Sequence, residues 1–442
     1  MRAWRTWRTW TTRATRSMLL VALVAGVALG PAPASGGRGG RITTGFERRG
    51  GLSWTTPAEE RDLLRELIAA APGPDRAGWA PARVTVTRVG GSARGRDVEL
   101  ITVSGARTVP EPIRVLFVCG QHGDEPAGRE ACLKLVRDLA DDRSAAGRRL
   151  LERVTVLVLP APNPDGLAAG TRGTAEGVDL NRDHLAVASP EARALRRVLR
   201  ETRPHIVHDL HEFDAPTDAP AAPTLYLWPR NLNVDPELRG LAQELARDRI
   251  GSALRAAGWA SDVYGVDATG RRLGGDGDER LLRNAAALDS AVAVLVEVDA
   301  NPTSALERGD AALLHRRRVG AHLVAARATL RMAAERGEAV TSAIRAARAR
   351  SARGPERVYL DGADNLPGTW AAPLEPPCAY RLTPAQFATA RAALTEHGIR
   401  VSPDLTVRTA QPQGVKATLL LDPRARFAIT DGAPEPCGEE GA

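Results

Sequence analysis

The chain has 442 residues, 43% of them apolar and 26% charged, which suits one large globular domain plus a smaller one and excludes a disordered or fibrous chain. Lys plus Arg exceed Asp plus Glu by 7. Five of those arginines (Arg2, Arg5, Arg8, Arg13 and Arg16) fall in the first 17 residues beside no acid, and without them the balance is +2, so no nucleic-acid partner is expected.

The basic start leads into the apolar run Met18–Gly30 and then Ala32-Pro33-Ala34. That order is the layout of a secretory signal peptide, and the run is too short to span a bilayer comfortably. The expectation is a leader over 1–34 cleaved after Ala34, a secreted or extracytoplasmic protein, and no stable membrane partner after cleavage. The alternative is an uncleaved N-terminal anchor. Residues 35–42 read as a flexible exit. Export permits disulfides: Cys378 and Cys437 lie in one region and can pair, whereas Cys119 and Cys132 read as buried free thiols. No CxxC occurs, so a cysteine zinc site is not indicated.

Along the mature chain, helical apolar spacing runs from about 57 to 71, and 83–103 reads as two strands around a turn. Ile113–Cys119 is a short continuous apolar run, as expected of a strand buried on both faces. A helix follows over 126–141, opened by Pro126. Further strands are expected at 154–159, 206–210 and 292–298, and helices at 190–201, 236–257 and 306–353. This alternation predicts an α/β fold, a mixed central sheet flanked by helices. The arginine-rich stretch 307–353 reads as a solvated helix face. Residues 336–354 serve as a helical linker from a catalytic domain over 35–335 to a small C-terminal accessory domain over 355–442, with a helix at 383–397 and a strand at 417–421.

Eight histidines allow each to be weighed. His122 and Glu125 form H-x-x-E just after the buried strand, at the sheet edge where open α/β folds bind ligands. Two ligands are too few for catalytic zinc, which takes about three plus water. His211, at the end of the strand HIVHDLHEF, offers the third; His208 competes, but alternation puts it on the other face. Asn163-Pro164-Asp165-Gly166 signals a turn, and Arg172, Asp179, Asn181 and Arg182 cluster after it. Glu297 sits inside the apolar strand VAVLVEV, where a carboxylate must be paired, bound to metal or raised in pKa.

The ordered set HGDE, NPDG, an arginine before GVDLNR, DLHEF and LVEV resembles the zinc carboxypeptidase family, the carboxypeptidase A-like group, over roughly residues 45–335. The short arginine-to-GVDLNR spacing is nearer to compact bacterial members, including murein peptide amidases. The resemblance implies one Zn2+ per chain on His122, Glu125 and His211. It implies Arg172 as the group that polarises the scissile carbonyl, Asn181 and Arg182 as the grip on the substrate's terminal carboxylate, Asp179 as the carboxylate orienting the first zinc histidine, and Glu297 as the base. The implied activity is that of an exported metallocarboxypeptidase acting on a peptide or peptide-like substrate with a free carboxylate. A peptidoglycan stem-peptide amidase, a small-molecule deacylase and a binding module that keeps the fold are the alternatives. Departures fall near the substrate. Asp183 stands beside Arg182, where its charge is expected to narrow or change substrate choice. Tyr264 is an uncertain match for the family's mobile tyrosine, and Arg271, Arg272 and Arg283 lie in a loop region that can contact substrate.

Overall fold

The computed structural model describes residues 42–70, 82–215, 222–265, 275–365 and 373–437. The leader over 1–34, Arg271 and Arg272 lie outside the described residues. No helix among the described residues is long and apolar enough to cross a membrane.

Among the described residues, eight strands form one mixed sheet in the order β1-β2-β4-β3-β5-β8-β6-β7. They are β1 Arg83–Gly91, β2 Asp97–Ser104, β3 Ile113–Val118, β4 Val154–Leu159, β5 Ile206–Phe213, β6 Thr224–Leu227, β7 Ser261–Val263 and β8 Val292–Asp299. The four central strands β4, β3, β5 and β8 run parallel, and β2 and β6 flank them antiparallel. Chain order runs from β3 out to β4 and then back across β3 to β5, so connections depart in opposite directions from the β3–β5 seam. A crevice opens at the carboxyl ends of strands at such a switch point.

Period-2 alternation divides the side chains between two cores. Val115, Phe117 and Cys119 of β3, Ile206 and Leu210 of β5 and Val292, Val294 and Val296 of β8 enter one large apolar cluster. The Pro57–Ala69, Pro126–Asp141 and Ala311–Ala352 helices cover that face. Leu116 and Val118, Val207 and Ala293 point the other way, against the Pro190–Thr202 and Leu282–Leu288 helices. Asp209, His211 and Glu297 share the parity of this second face. Those two helices are short, with 13 and 7 residues, and the strand ends beyond them line a cavity.

The 42-residue Ala311–Ala352 helix carries the arginine-rich stretch as one continuous element. Its arginines pair with acids from other elements: Arg317 with Glu307, Arg318 with Glu212, Arg327 with Asp138 and Arg350 with Asp235. The stretch is thus a charge-paired helix face.

Beyond it, β9 Ala379–Arg381, β10 Thr406–Arg408 and β11 Ala433–Glu435 form a small antiparallel sheet. It is accompanied by the Pro384–His397 and Gly414–Leu421 helices. The second helix replaces the strand expected at 417–421. An apolar run of this length suits either state; here Leu419, Leu420 and Leu421 are all buried, and Thr418 Oγ1 donates to the Gly414 carbonyl one turn back. This region shares a core with Leu180, Leu185, Val187 and Ala192 of the α/β body. Asp289 accepts hydrogen bonds from Arg196 and, at 2.6 Å, from Lys416 across the same junction.

All four cysteines are bonded. Cys378 joins Cys437, as their proximity in the chain allows. Cys119 joins Cys132, which corrects the expectation of free thiols: Cys119 closes β3 on the face where the Pro126–Asp141 helix packs, with Cα atoms 6.4 Å apart, within disulfide reach.

Candidate metal centre and substrate cavity

The metal loop leaves β3 at Cys119 and turns into the Pro126–Asp141 helix, with Glu125 at its N-cap. Gly123 donates its N–H to the Thr171 carbonyl. A Cβ on Gly123 would sit 1.9 Å from the backbone of Gly166, so only glycine allows the two loops to touch. Asn163, the N-cap of the Pro164–Ala169 helix, donates to the carbonyls of Gln121 at 3.1 Å and Arg172 at 3.3 Å. Asp165 accepts from the Arg94 N–H and from Arg96 Nη1. The NPDG turn is therefore scaffolding that ties the metal loop to the β1–β2 turn.

His122, Glu125 and His211 come together, one ligand atom from each lying within 4.8 Å of the others, all three buried. Glu125 Oε1 is 2.6 Å from His122 Nδ1 and Oε2 is 2.9 Å from His211 Nδ1. Oε2 also accepts the Glu212 N–H. Burial opposes charge on Glu125, but the two imidazoles outweigh it and hold its carboxyl well below the usual range. The far nitrogens point outward: His122 Nε2 to Asp179 Oδ1 at 3.0 Å and His211 Nε2 to Asp209 Oδ1 at 3.0 Å. A carboxylate on Nε2 keeps the proton there and leaves the Nδ1 lone pair for a cation. Two imidazole nitrogens and a carboxylate are a zinc donor set with a fourth position open.

His208 is not in this group. Its Nδ1 meets Thr329 Oγ1 at 2.9 Å on the opposite face, and burial lowers its pKa to about 3, which keeps it neutral.

Three supporting residues were not singled out from the sequence. Asp209 holds His211, and Gln121 Nε2 donates to both Asp209 oxygens at 2.8 and 2.9 Å. His184 Nε2 lies 2.6 Å from Gln121 Oε1; since that oxygen only accepts, His184 carries its proton on Nε2. The signal for Asp209 was present: it lies two residues before His211, on the same face of the strand.

Arg172 donates to Asp179 through Nε and Nη2 and reaches Glu125 Oε1 at 3.3 Å. Asn181 Nδ2 lies 3.1 Å from His211 Nε2, and its Oδ1 accepts the Leu282 N–H. Glu297 pairs with His211 in the β5–β8 register. Its Oε2 is buried without a partner, and burial, helped by Glu125 and Asp209, pushes its carboxyl up to about 8. A cavity of about 460 Å3 takes in the metal triad, Arg172, Asn181, Arg182, Tyr264, Arg283 and Glu297 among its walls. Tyr264 is raised to about 12, first by burial and then by Glu297.

Asp183 does not face this cavity, contrary to the expectation. It accepts from the N–H groups of Ala188 and Ser189 and from Ser189 Oγ, folding the chain into the Pro190–Thr202 helix. Its charge is consumed by that turn.

The zinc carboxypeptidase family model matches residues 76–216, a span that holds the triad, Arg172, Asp179, Asn181 and Arg182 and ends before Glu297. Carboxypeptidase 2 of Trichophyton rubrum is 36% identical over 197 residues, 42% of this chain and 36% of that protein. Carboxypeptidase 2 of Trichophyton tonsurans is 34% identical over 223 residues, 47% of this chain and 41% of that protein. The chain thus spans less than half the length of these curated relatives. A metallo-carboxypeptidase from Pseudomonas aeruginosa aligns with a TM-score of 0.47 at 21% identity, over 65% of this chain and 70% of that one. By this family match and these curated relatives, residues 76–216 of the chain are similar to the zinc carboxypeptidase family.

Proposed function

We propose that the protein is a metallocarboxypeptidase that binds one zinc ion on His122, Glu125 and His211 and hydrolyses the C-terminal peptide bond of a substrate with a free carboxylate. One observation carries this reading: the metal triad, an unpartnered carboxylate oxygen on Glu297, and the Arg172, Asn181 and Arg182 side chains border a single cavity. Zinc in the triad supplies Lewis-acid activation of water and of the scissile carbonyl. Glu297 takes the proton from the attacking water and passes it to the leaving nitrogen. Arg172 donates to the carbonyl oxygen as negative charge develops there, and Asp179 holds the guanidinium in place. Arg182 and Asn181 bind the terminal carboxylate, the arginine through its planar fork.

We further propose that the protein works outside the cytoplasm. Basic, apolar and A-x-A segments in order support this, as do two disulfides that use every cysteine, the usual state in oxidising compartments.

The test is mass spectrometry of peptides and muropeptides incubated with the zinc-loaded protein. Release of one residue from free-carboxylate peptides, with amidated peptides inert and a chelator abolishing release, is the expected result. Inactivity on every free-carboxylate peptide with cleavage of muropeptides would shift the reading to cell-wall chemistry.

A further inference from the structure

Arg283 is a cation held in the cavity wall with its Nε buried and unpartnered. It is the second residue of the Leu282–Leu288 helix and is 3% exposed. A guanidinium carries five N–H donors. Nη2 donates to the Asp276 carbonyl at 2.8 Å, and Nε is buried with no acceptor. No other hydrogen bond of this group is seen among the described residues. The nearby Asp276 carboxylate stands off at 3.9 Å, its side chain 43% exposed. Burying a charge this poorly satisfied is costly, and burial lowers the Arg283 pKa accordingly. An anion arriving in the cavity relieves that cost.

A second guanidinium lies close by. Arg182 donates to the Asn181 carbonyl and forms no ion pair among the described residues. The Leu282 N–H bonded to Asn181 Oδ1 sets the two arginine-bearing segments side by side, near enough for Arg182 to disfavour charge on Arg283. Leu281 and Leu295 line the same cavity, giving apolar wall for a short methylene stem. If Arg182 and Asn181 take the terminal carboxylate, Arg283 is left for a second one on the same residue.

We propose that the cavity selects a C-terminal residue with an acidic side chain, glutamate or aspartate, whose side-chain carboxylate is bound by Arg283. This rests on the carboxypeptidase reading above and goes further by naming the residue released.

The experiment compares kcat/KM of the zinc-loaded full chain on N-acylated dipeptides ending in Glu, Asp, Leu and Lys. Glutamate is expected to exceed leucine by roughly tenfold to a hundredfold, the range of a hydrogen bond to a charged group. Arg283→Met should lower the glutamate-to-leucine ratio of kcat/KM by roughly tenfold to a hundredfold, a specificity change that general loss of structure does not give. Arg283→Lys, which keeps the charge and loses the fork, should fall between. A preference for leucine or lysine, or an equal loss on all substrates in Arg283→Met, would overturn the proposal; a lysine preference would assign the subsite to Asp276. Calorimetric binding of free glutamate and free leucine is read in parallel. Turnover of no peptide counts against the carboxypeptidase reading alone. In that case glutamate binding tighter than leucine, with the difference lost in Arg283→Met, still supports the subsite, and equal binding sinks it.

Discussion

The Nδ1 atoms of His122 and His211 lie 3.1 Å apart, and each ring's far nitrogen is 3.0 Å from its own carboxylate, Asp179 for the first and Asp209 for the second. The two imidazoles are thus set by the same device from two different elements. Burial works against charge on His211, but Asp209 and Glu125 outweigh it and raise its pKa well above the usual value. Asp209→Ala and Asp179→Ala should each weaken zinc binding by about 10- to 100-fold. Competition with a fluorescent chelator measures this; an unchanged affinity in Asp209→Ala would show that Gln121 and Asn181 orient His211 without it.

Glu297→Gln should lower kcat by at least about 10²-fold while zinc content stays at one ion per chain. The isosteric amide keeps the β8 packing and removes the proton acceptor. Metal analysis on the same preparation separates lost chemistry from lost zinc. Activity retained in this variant would rule out Glu297 as the base.

The Cys119–Cys132 disulfide encloses Gln121, His122 and Glu125, while Cys378–Cys437 lies in the C-terminal region; the sequence separations are 13 and 59. In the chain-entropy account, removing the first costs about 3 kcal/mol and the second about 4 kcal/mol. The double variant Cys119→Ala/Cys132→Ala should release zinc faster to a chelator. Cys378→Ala/Cys437→Ala should lose at least as much stability by urea unfolding with no change in zinc release. Equal effects of the two on zinc would mean that the first ring is not special to the metal loop.

Asp289 gives the pH dependence a sign. Burial disfavours its charge, but Arg196 and Lys416 outweigh this and hold its carboxyl well below the usual value near 3.9. The folded pKa lies below the unfolded one, so the stabilisation is fully present above about pH 4 and is lost as pH falls toward the folded value. Asp289→Asn should flatten the acid limb of a stability-against-pH curve. At neutral pH, Asp289→Ala should destabilise by about 3–5 kcal/mol, since it leaves two buried cations unpaired.

Much of the site was legible because its parts obey local rules. Continuous apolar runs marked β3, β4 and β8, and period 2 separated His211 from His208 before any contact was known. The acid inside β8 announced Glu297 by its environment alone. What stayed hidden depends on pairing across the fold. Asp183 looked like a specificity residue from its place beside Arg182, but turn hydrogen bonds to Ala188 and Ser189 turn its carboxylate away. Cys119 and Cys132 looked like core thiols because spacing of 13 residues does not reveal which face of a helix meets a strand. The three- and four-residue strands β7 and β6 are too short to show a period.

The C-terminal region bears on both sides of the cavity. On one side its core takes in Leu180 and Leu185, which bracket Asn181 and Arg182, and His397 Nε2 bonds the Leu185 carbonyl at 2.8 Å. On the other, Asn365 donates to the Gly275 carbonyl, and a Cβ on Gly277 would strike the carbonyl of Gly362 at 1.9 Å. The two parts are therefore not interchangeable modules. A C-terminal region grafted from a similar protein would have to supply a donor for Leu185 and a flat backbone for Gly277, and sequence changes on either side of this seam are expected to appear as changes in substrate preference.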